Sequence, residues 1–263
     1  MEISCCRSAA EAGGSLRIRL DLTITVKNRK PPICEIRSLS IKRHDILSAK
    51  ERNTMAYFEP WVGKNYSSGG IFRYKILAVG ESHYCGEFAC PYKSRCGVLG
   101  GKIKSKCHKF TDRTINIYLN ANGHDCGGWG RTYKKFTKVL TGGRESSYAL
   151  RDVWNSIAFY NFIQSAVLTG PRIPFENKAV FEDCVDIFNS VISSLRPDFI
   201  IVWGNKTWQT LKSSTKTTGL IFLDNAQSPV KKNSEPLAMM ITHPASSKFK
   251  YDSLTPLFSG FLK

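Results

Sequence analysis

Lys75-Ile76-Leu77-Ala78-Val79-Gly80-Glu81-Ser82-His83-Tyr84 decides how this chain is read. Ile76 to Val79 is an apolar run bounded by a lysine and a glycine, right for a short buried strand and too short for a helix. A glycine, a carboxylate, a hydroxyl, an imidazole and a phenol follow in consecutive positions. Ligands of open α/β sheets bind just beyond the carboxyl ends of the strands, and Gly80 lets the backbone turn tightly and come close to one. A solvated loop is the plain alternative, so other segments have to separate the two.

Downstream, Tyr133 to Leu140 and Tyr148 to Phe159 read as short helices around Thr141-Gly142-Gly143. Asn161 then interrupts the apolar run Ala158-Phe159-Tyr160-Asn161-Phe162-Ile163-Gln164. A buried Asn has to be hydrogen-bonded or cost roughly 1–3 kcal/mol. Its carboxamide carries the donor and acceptor that a pyrimidine edge needs, although it can equally brace a loop. Pro174 to Leu195 is the clearest helix, with Val180, Cys184, Phe188, Val191 and Leu195 on one face. Asp198 to Gly204 is a second strand-then-glycine unit, Thr207 to Leu211 opens a helix, and Gly219–Leu223 and Leu237–Thr242 are further strands. Strands alternating with helices predict a three-layer α/β/α sandwich on a mainly parallel sheet of about four strands. The last strand runs into Thr242-His243-Pro244-Ala245-Ser246-Ser247, another polar cluster at a strand end. Ser246, Ser247 and Lys248 have the hydroxyls and charge for phosphate contacts.

Composition narrows the partners. The 263 residues carry 38 Lys and Arg against 21 Asp and Glu, a net charge of +17 with a pI near 9.6. Such an excess favours a polyanion, most simply DNA, over a chain that merely happens to be basic. No apolar run approaches the ~20 residues of a membrane span, and the first residues lack a signal-peptide core. A cytoplasmic or nucleoid-associated monomer is therefore expected. Residues 1–54 read as a basic extension, with Leu16 to Ile24 alternating like a half-buried strand, and 55–263 as the main α/β domain.

A cysteine-rich, basic insertion is expected at about 85–126. Cys85, Cys90, Cys96 and Cys107 stand close together without a C-x2-C pair, a set that suits structural zinc. An iron–sulfur cluster or a loop of reduced thiols are the other readings. From Cys85 to Lys138, eleven Lys or Arg residues stand against Glu87, Asp112 and Asp125, with aromatic residues between them. Cations neutralise phosphates and aromatic faces stack on bases, so a nucleic-acid face is favoured over a merely solvated one.

These segments together resemble the uracil-DNA glycosylase superfamily from about Tyr57 onward. Gly80-Glu81-Ser82-His83-Tyr84 stands where that family has its water-activating loop of GQDPYH or GEAPG type. Asn161 stands at the base-reading Asn, and His243-Pro244-Ala245-Ser246-Ser247 is similar to the HPS-type loop. Arg172 to Glu176, the long helix and Pro197 to Gly204 look like the intervening region. The resemblance implies a hydrolytic DNA glycosylase. Glu81 and His243 would be catalytic with Ser82 beside them. Gly80, His83, Tyr84, Phe110 and Asn161 would hold the flipped base, and Ser246, Ser247 and Lys248 the DNA. No cofactor is implied for catalysis. Ser82 stands at the Asp of GQDPYH and His83 at its proline, so water handling shifts to Glu81 and a modified base becomes an expected substrate. A non-catalytic nucleic-acid reader on the same scaffold is the rival expectation.

Overall fold

The computed structural model describes residues 56–84, 105–124, 126–143, 148–167, 178–223 and 235–263. The 1–54 extension, its Leu16 to Ile24 strand, Cys85, Cys90, Cys96 and the Arg172 to Glu176 segment lie outside the described residues.

The strands are β1 (Trp61–Val62), β2 (Ile76–Gly80), β3 (His83–Tyr84), β4 (Ile157–Asn161), β5 (Ala166–Val167), β6 (Phe199–Trp203), β7 (Ile221–Leu223) and β8 (Leu237–Ile241). The helices are α1 (Ser105–His108), α2 (Phe110–Asn120), α3 (Gly127–Leu140), α4 (Leu150–Asn155), α5 (Lys178–Leu195), α6 (Asn205–Ser213) and α7 (Tyr251–Ser259). Among the described residues the main sheet has six strands in the order β1-β4-β2-β6-β8-β7. Only β1 is antiparallel to its neighbour. β3 and β5 form a separate parallel pair.

β2, β4 and β6 are buried along their whole length, and their apolar residues run on without polar alternation, as a sheet covered on both faces requires. The two-residue period of a strand divides those residues between two cores. Ile76, Ala78, Ile157, Phe159, Phe199, Ile201 and Trp203 pack with residues of α2, α3, α4 and α7. Leu77, Val79, Ala158, Tyr160, Ile200 and Val202 pack with residues of α5 and α6. Helices therefore cover both sides of the sheet.

The structure corrects the sequence reading in three places. The sheet has six strands rather than about four, because β1 and β4 join the four runs expected to be strands. β1 is an edge strand of two residues that pairs antiparallel with β4. There the Trp61 indole donates to the Trp154 carbonyl at 2.9 Å. Second, the helix expected from Tyr148 to Phe159 stops at Asn155 and gives way to β4. A strand buried on both faces has no alternation to set it apart from a buried helix. Third, the stretch read as an insertion contains α2, whose Ile115, Tyr118 and Leu119 belong to the core. Among the described residues, no helix is long and apolar enough to cross a membrane.

Candidate functional site

Three polar strand ends come out at one edge of the sheet. Gly80 closes β2 and lies in register with Asn161, which closes the parallel neighbour β4. On the other side of β2, β6 ends at Trp203, in register with Ile241 of β8, and His243 follows two residues later. Ala78, Phe159, Trp203 and Ile241 all belong to the core beneath α2 and α3. By the two-residue period Gly80 and Asn161 stand on that same side of the sheet, and His243, beyond the end of β8, is placed there by its contact with Trp203. The His243 ring packs edge-on against Trp203 at 5.9 Å.

Asn161 is held by its neighbours. It is 5% exposed, and its Nδ2 lies 3.0 Å from Nδ1 of His83. His83 is 4% exposed, and its Nε2 lies 3.1 Å from the Thr111 hydroxyl. Burial lowers the His83 pKa to about 3, so the ring is neutral at pH 7. One tautomer satisfies both contacts: Nδ1 accepts from Asn161 while the Nε2–H donates to Thr111. Phe58 and Phe110 close on the same imidazole at 4.6 and 4.8 Å. Gln164 then ties the segment together, donating to the Asn161 carbonyl at 2.7 Å and accepting the Phe58 N–H at 2.8 Å.

Gly80 has a different use from the one expected. A Cβ built there would lie 2.2 Å from Oδ1 of Asn161 and 3.1 Å from the Phe159 ring. The missing side chain makes room for the Asn161 carboxamide, not for direct approach of a ligand. His83 is likewise packed behind Asn161 rather than open to a ligand in this conformation. Tyr84, next along β3, is 55% exposed and on the opposite side of the strand from His83, so it stands away from that packing. Of the two aromatic residues expected to wall the site, Phe110 is the one in contact with it. Glu81 is half-buried, and its carbonyl accepts the Ile163 N–H at 2.8 Å. The Ser82 hydroxyl is buried without a hydrogen-bond partner among the described residues, as is the Trp203 indole N–H beneath His243.

The His243 loop is built as a turn. Ser246 N–H donates to the His243 carbonyl at 2.8 Å, and Ala245 N–H donates to His243 Nδ1 at 3.1 Å. With Nδ1 accepting, the neutral ring carries its proton on Nε2. Burial moves the pKa of this group down from its ordinary value, which favours that neutral form. Gly204 makes the close approach of the loop feasible. Its φ of +93° is a region that other residues avoid, and His243 Cβ lies 3.5 Å from where a side chain would begin. Ser246 Oγ accepts the Lys248 N–H at 3.1 Å, while Ser247 and Lys248 are exposed.

A comparison with models of known protein families finds no match, and a comparison with curated proteins finds none either. The site therefore rests on its own geometry.

Cys107 is half-buried, and among the described residues no three His, Cys, Asp or Glu side chains gather as a metal site. The other three expected zinc ligands lie outside the described residues. A half-open cavity of about 290 Å³ lies elsewhere, walled by Tyr118, Asn122, Lys134, Thr137, Tyr148 and Leu150 among others, and by none of the three strand ends. Thr111 and Gln164 were not anticipated as supporting residues. Gln164 carries the same signal that singled out Asn161, a polar residue inside an apolar run. Thr111 carries no comparable signal.

Proposed function

We propose that the chain is a DNA glycosylase that hydrolyses the N-glycosidic bond of a flipped-out uracil-like or modified pyrimidine, leaving an abasic site. The observation that carries this reading is the gathering of the Gly80, Asn161 and His243 strand ends at one edge, on one side of the sheet. At roughly 4.8 Å per strand step, the ends of β4 and β8 lie about 14 Å apart. A separation of that order matches one heterocycle held between side chains from the two ends. A base inside a duplex is out of reach, so it has to be extruded first.

In this scheme Asn161 reads the base edge, with His83 fixing its carboxamide, and Phe110 lies nearest as a stacking surface. Glu81 orients or deprotonates the attacking water and offsets positive charge developing on the sugar. The Ser82 hydroxyl is a further polar group for that water. As the C1′–N bond breaks, its electron pair leaves with the base, and His243 Nε2–H donates to the base carbonyl that gains negative charge. Ser246, Ser247 and Lys248 hold phosphates beside it, on a monomer that needs no cofactor.

Substituting Glu81→Gln is expected to cut base release by roughly 100-fold or more while leaving DNA affinity within about twofold. Abasic-site formation on duplexes carrying uracil or modified pyrimidines measures the first, and anisotropy with the same duplexes the second. Full base release by the variant rejects the role of Glu81. The second reading, a reader that binds a base without cleaving it, is favoured by Ser82 at the usual Asp position and by the His83 contact that occupies one donor of Asn161. Retention of one modified duplex without abasic product supports that reading instead.

A further inference from the structure

α3 carries a stripe of cations unrelated to the three strand ends. Arg131, Lys134, Lys135 and Lys138 follow the i, i+3, i+4, i+7 spacing of one helix face, while Phe136, Val139 and Leu140 of the same helix are buried. Among the described residues, no carboxylate forms an ion pair with any of the four. Two of them are docked on the chain that follows His243. Lys135 Nζ lies 5.8 Å over the Phe249 ring, and Lys138 Nζ lies 5.0 Å over that of Tyr251. Lys248 and Lys250 stand exposed on that same segment. The helix stripe and the end of the His243 loop thus form one basic surface, joined by cation–aromatic contacts.

Keeping cations together with no carboxylate partner among the described residues costs mutual repulsion, which a polyanion relieves. From Arg131 to Lys138 the stripe rises through seven residue steps, roughly 10 Å of helix, comparable with the axial length of three phosphates in one DNA strand. Apolar side chains that would ask for a base or a protein partner are absent from its four positions. We infer that this surface, from Arg131 to Lys138 with Lys248 and Lys250, is a phosphate track for the DNA backbone flanking the extruded base. The assignment rests on the proposed function for the identity of the strand it holds. The cationic surface itself does not depend on catalysis.

The test is a salt titration on an unmodified 20-base-pair duplex, followed by anisotropy. Three full-length proteins are compared: wild type, Arg131→Gln/Lys134→Gln/Lys135→Gln/Lys138→Gln, and a control that removes four cations elsewhere, Lys64→Gln/Arg196→Gln/Lys206→Gln/Lys212→Gln. Each phosphate contact contributes about 0.9 to the slope of log affinity against log salt on B-DNA. The stripe variant is expected to lose about 2–3 units of slope and at least tenfold in affinity at fixed salt, with the control nearly unchanged. Equal losses in both variants reduce the effect to net charge and overturn the inference. An unchanged slope in the stripe variant overturns it as well, as does loss of binding to anionic lipid vesicles with DNA binding intact. Should the stripe variant melt early, Lys248→Gln/Lys250→Gln, which leaves the cation–aromatic contacts in place, is expected to lose 1–2 units by the same arithmetic. Base release is read separately. A selective slope loss without abasic product keeps the track and rejects the glycosylase, and abasic product with an unchanged slope does the reverse.

Discussion

Two histidines at the same sheet edge have been put to opposite uses. His83 is sealed between Phe58, Phe110, Thr111 and Asn161, with both ring nitrogens in contact. His243 is only partly buried, and among the described residues the one hydrogen bond at its ring comes from the N–H of Ala245 to Nδ1. Burial keeps both neutral, yet only His243 retains a ring N–H outside that contact. The difference lies in the partners, not the residue type. A histidine becomes part of the scaffold when both nitrogens are used, and stays available for chemistry when one is not. The β4–β2 half of the edge is accordingly a prearranged support for Asn161, and the β8 half is where a group can act on a ligand.

That contrast breaks first at His243. Replacing it with alanine is expected to lower base release by roughly 100- to 1000-fold, the usual cost of losing one donor to a developing oxyanion. Thermal stability of the same variant should move by only about 1 kcal/mol or less, because the partly buried ring makes one local hydrogen bond and an edge contact with Trp203. A large stability loss with unchanged base release would make His243 the structural histidine and reverse the assignment. Gly80→Ala probes the other half. Its new methyl group meets Asn161 Oδ1 at 2.2 Å, and both the carboxamide and the Phe159 ring are buried. An overpacking cost of about 1–3 kcal/mol is expected in denaturant unfolding, with base recognition lost at the same time. Unchanged unfolding would mean that Asn161 is not fixed against Gly80.

The sheet was legible because its central strands are continuous apolar runs that end in glycine or polar clusters, and Gly80, Gly204 and His243 sit at such ends. β1 escaped because two residues of strand carry no period, and β4 was partly absorbed into a helix because full burial on both faces erases alternation. At the site, the polar residues themselves could be found, since Asn161 in an apolar run has to be explained by a partner. The identity of that partner could not. His83 and Asn161 are 78 residues apart in sequence, and only the pairing of β2 with β4 brings them together. The same tertiary step turned Gly80 from an opening for ligand into a seat for a side chain. It also placed Tyr84 outside, where the next residue of a strand must go once His83 is inside.

The smallest effect is the one most specific to the sealed histidine. His83 titrates at about 3 when folded and near 6.5 when its surroundings are lost. Below pH 6.5 the unfolded chain therefore binds a proton that the folded chain refuses, so stability is full above 6.5 and falls as the solution is acidified toward 3. The slope from this one group is about 1.4 kcal/mol per pH unit across that window. His243, with its pKa shifted the same way, and other groups add their own slopes, so the comparison has to be made against His83→Gln. Glutamine keeps an amide near Asn161 and Thr111 but has nothing to protonate there. Chemical unfolding at pH 6.5 and 5.5 is expected to show a wild-type loss larger than that of the glutamine variant by about 1 kcal/mol, since the unfolded histidine is already half-protonated at pH 6.5. Parallel losses would place His83 in contact with water in the folded protein, and the division between a structural and an acting histidine would then have no physical basis.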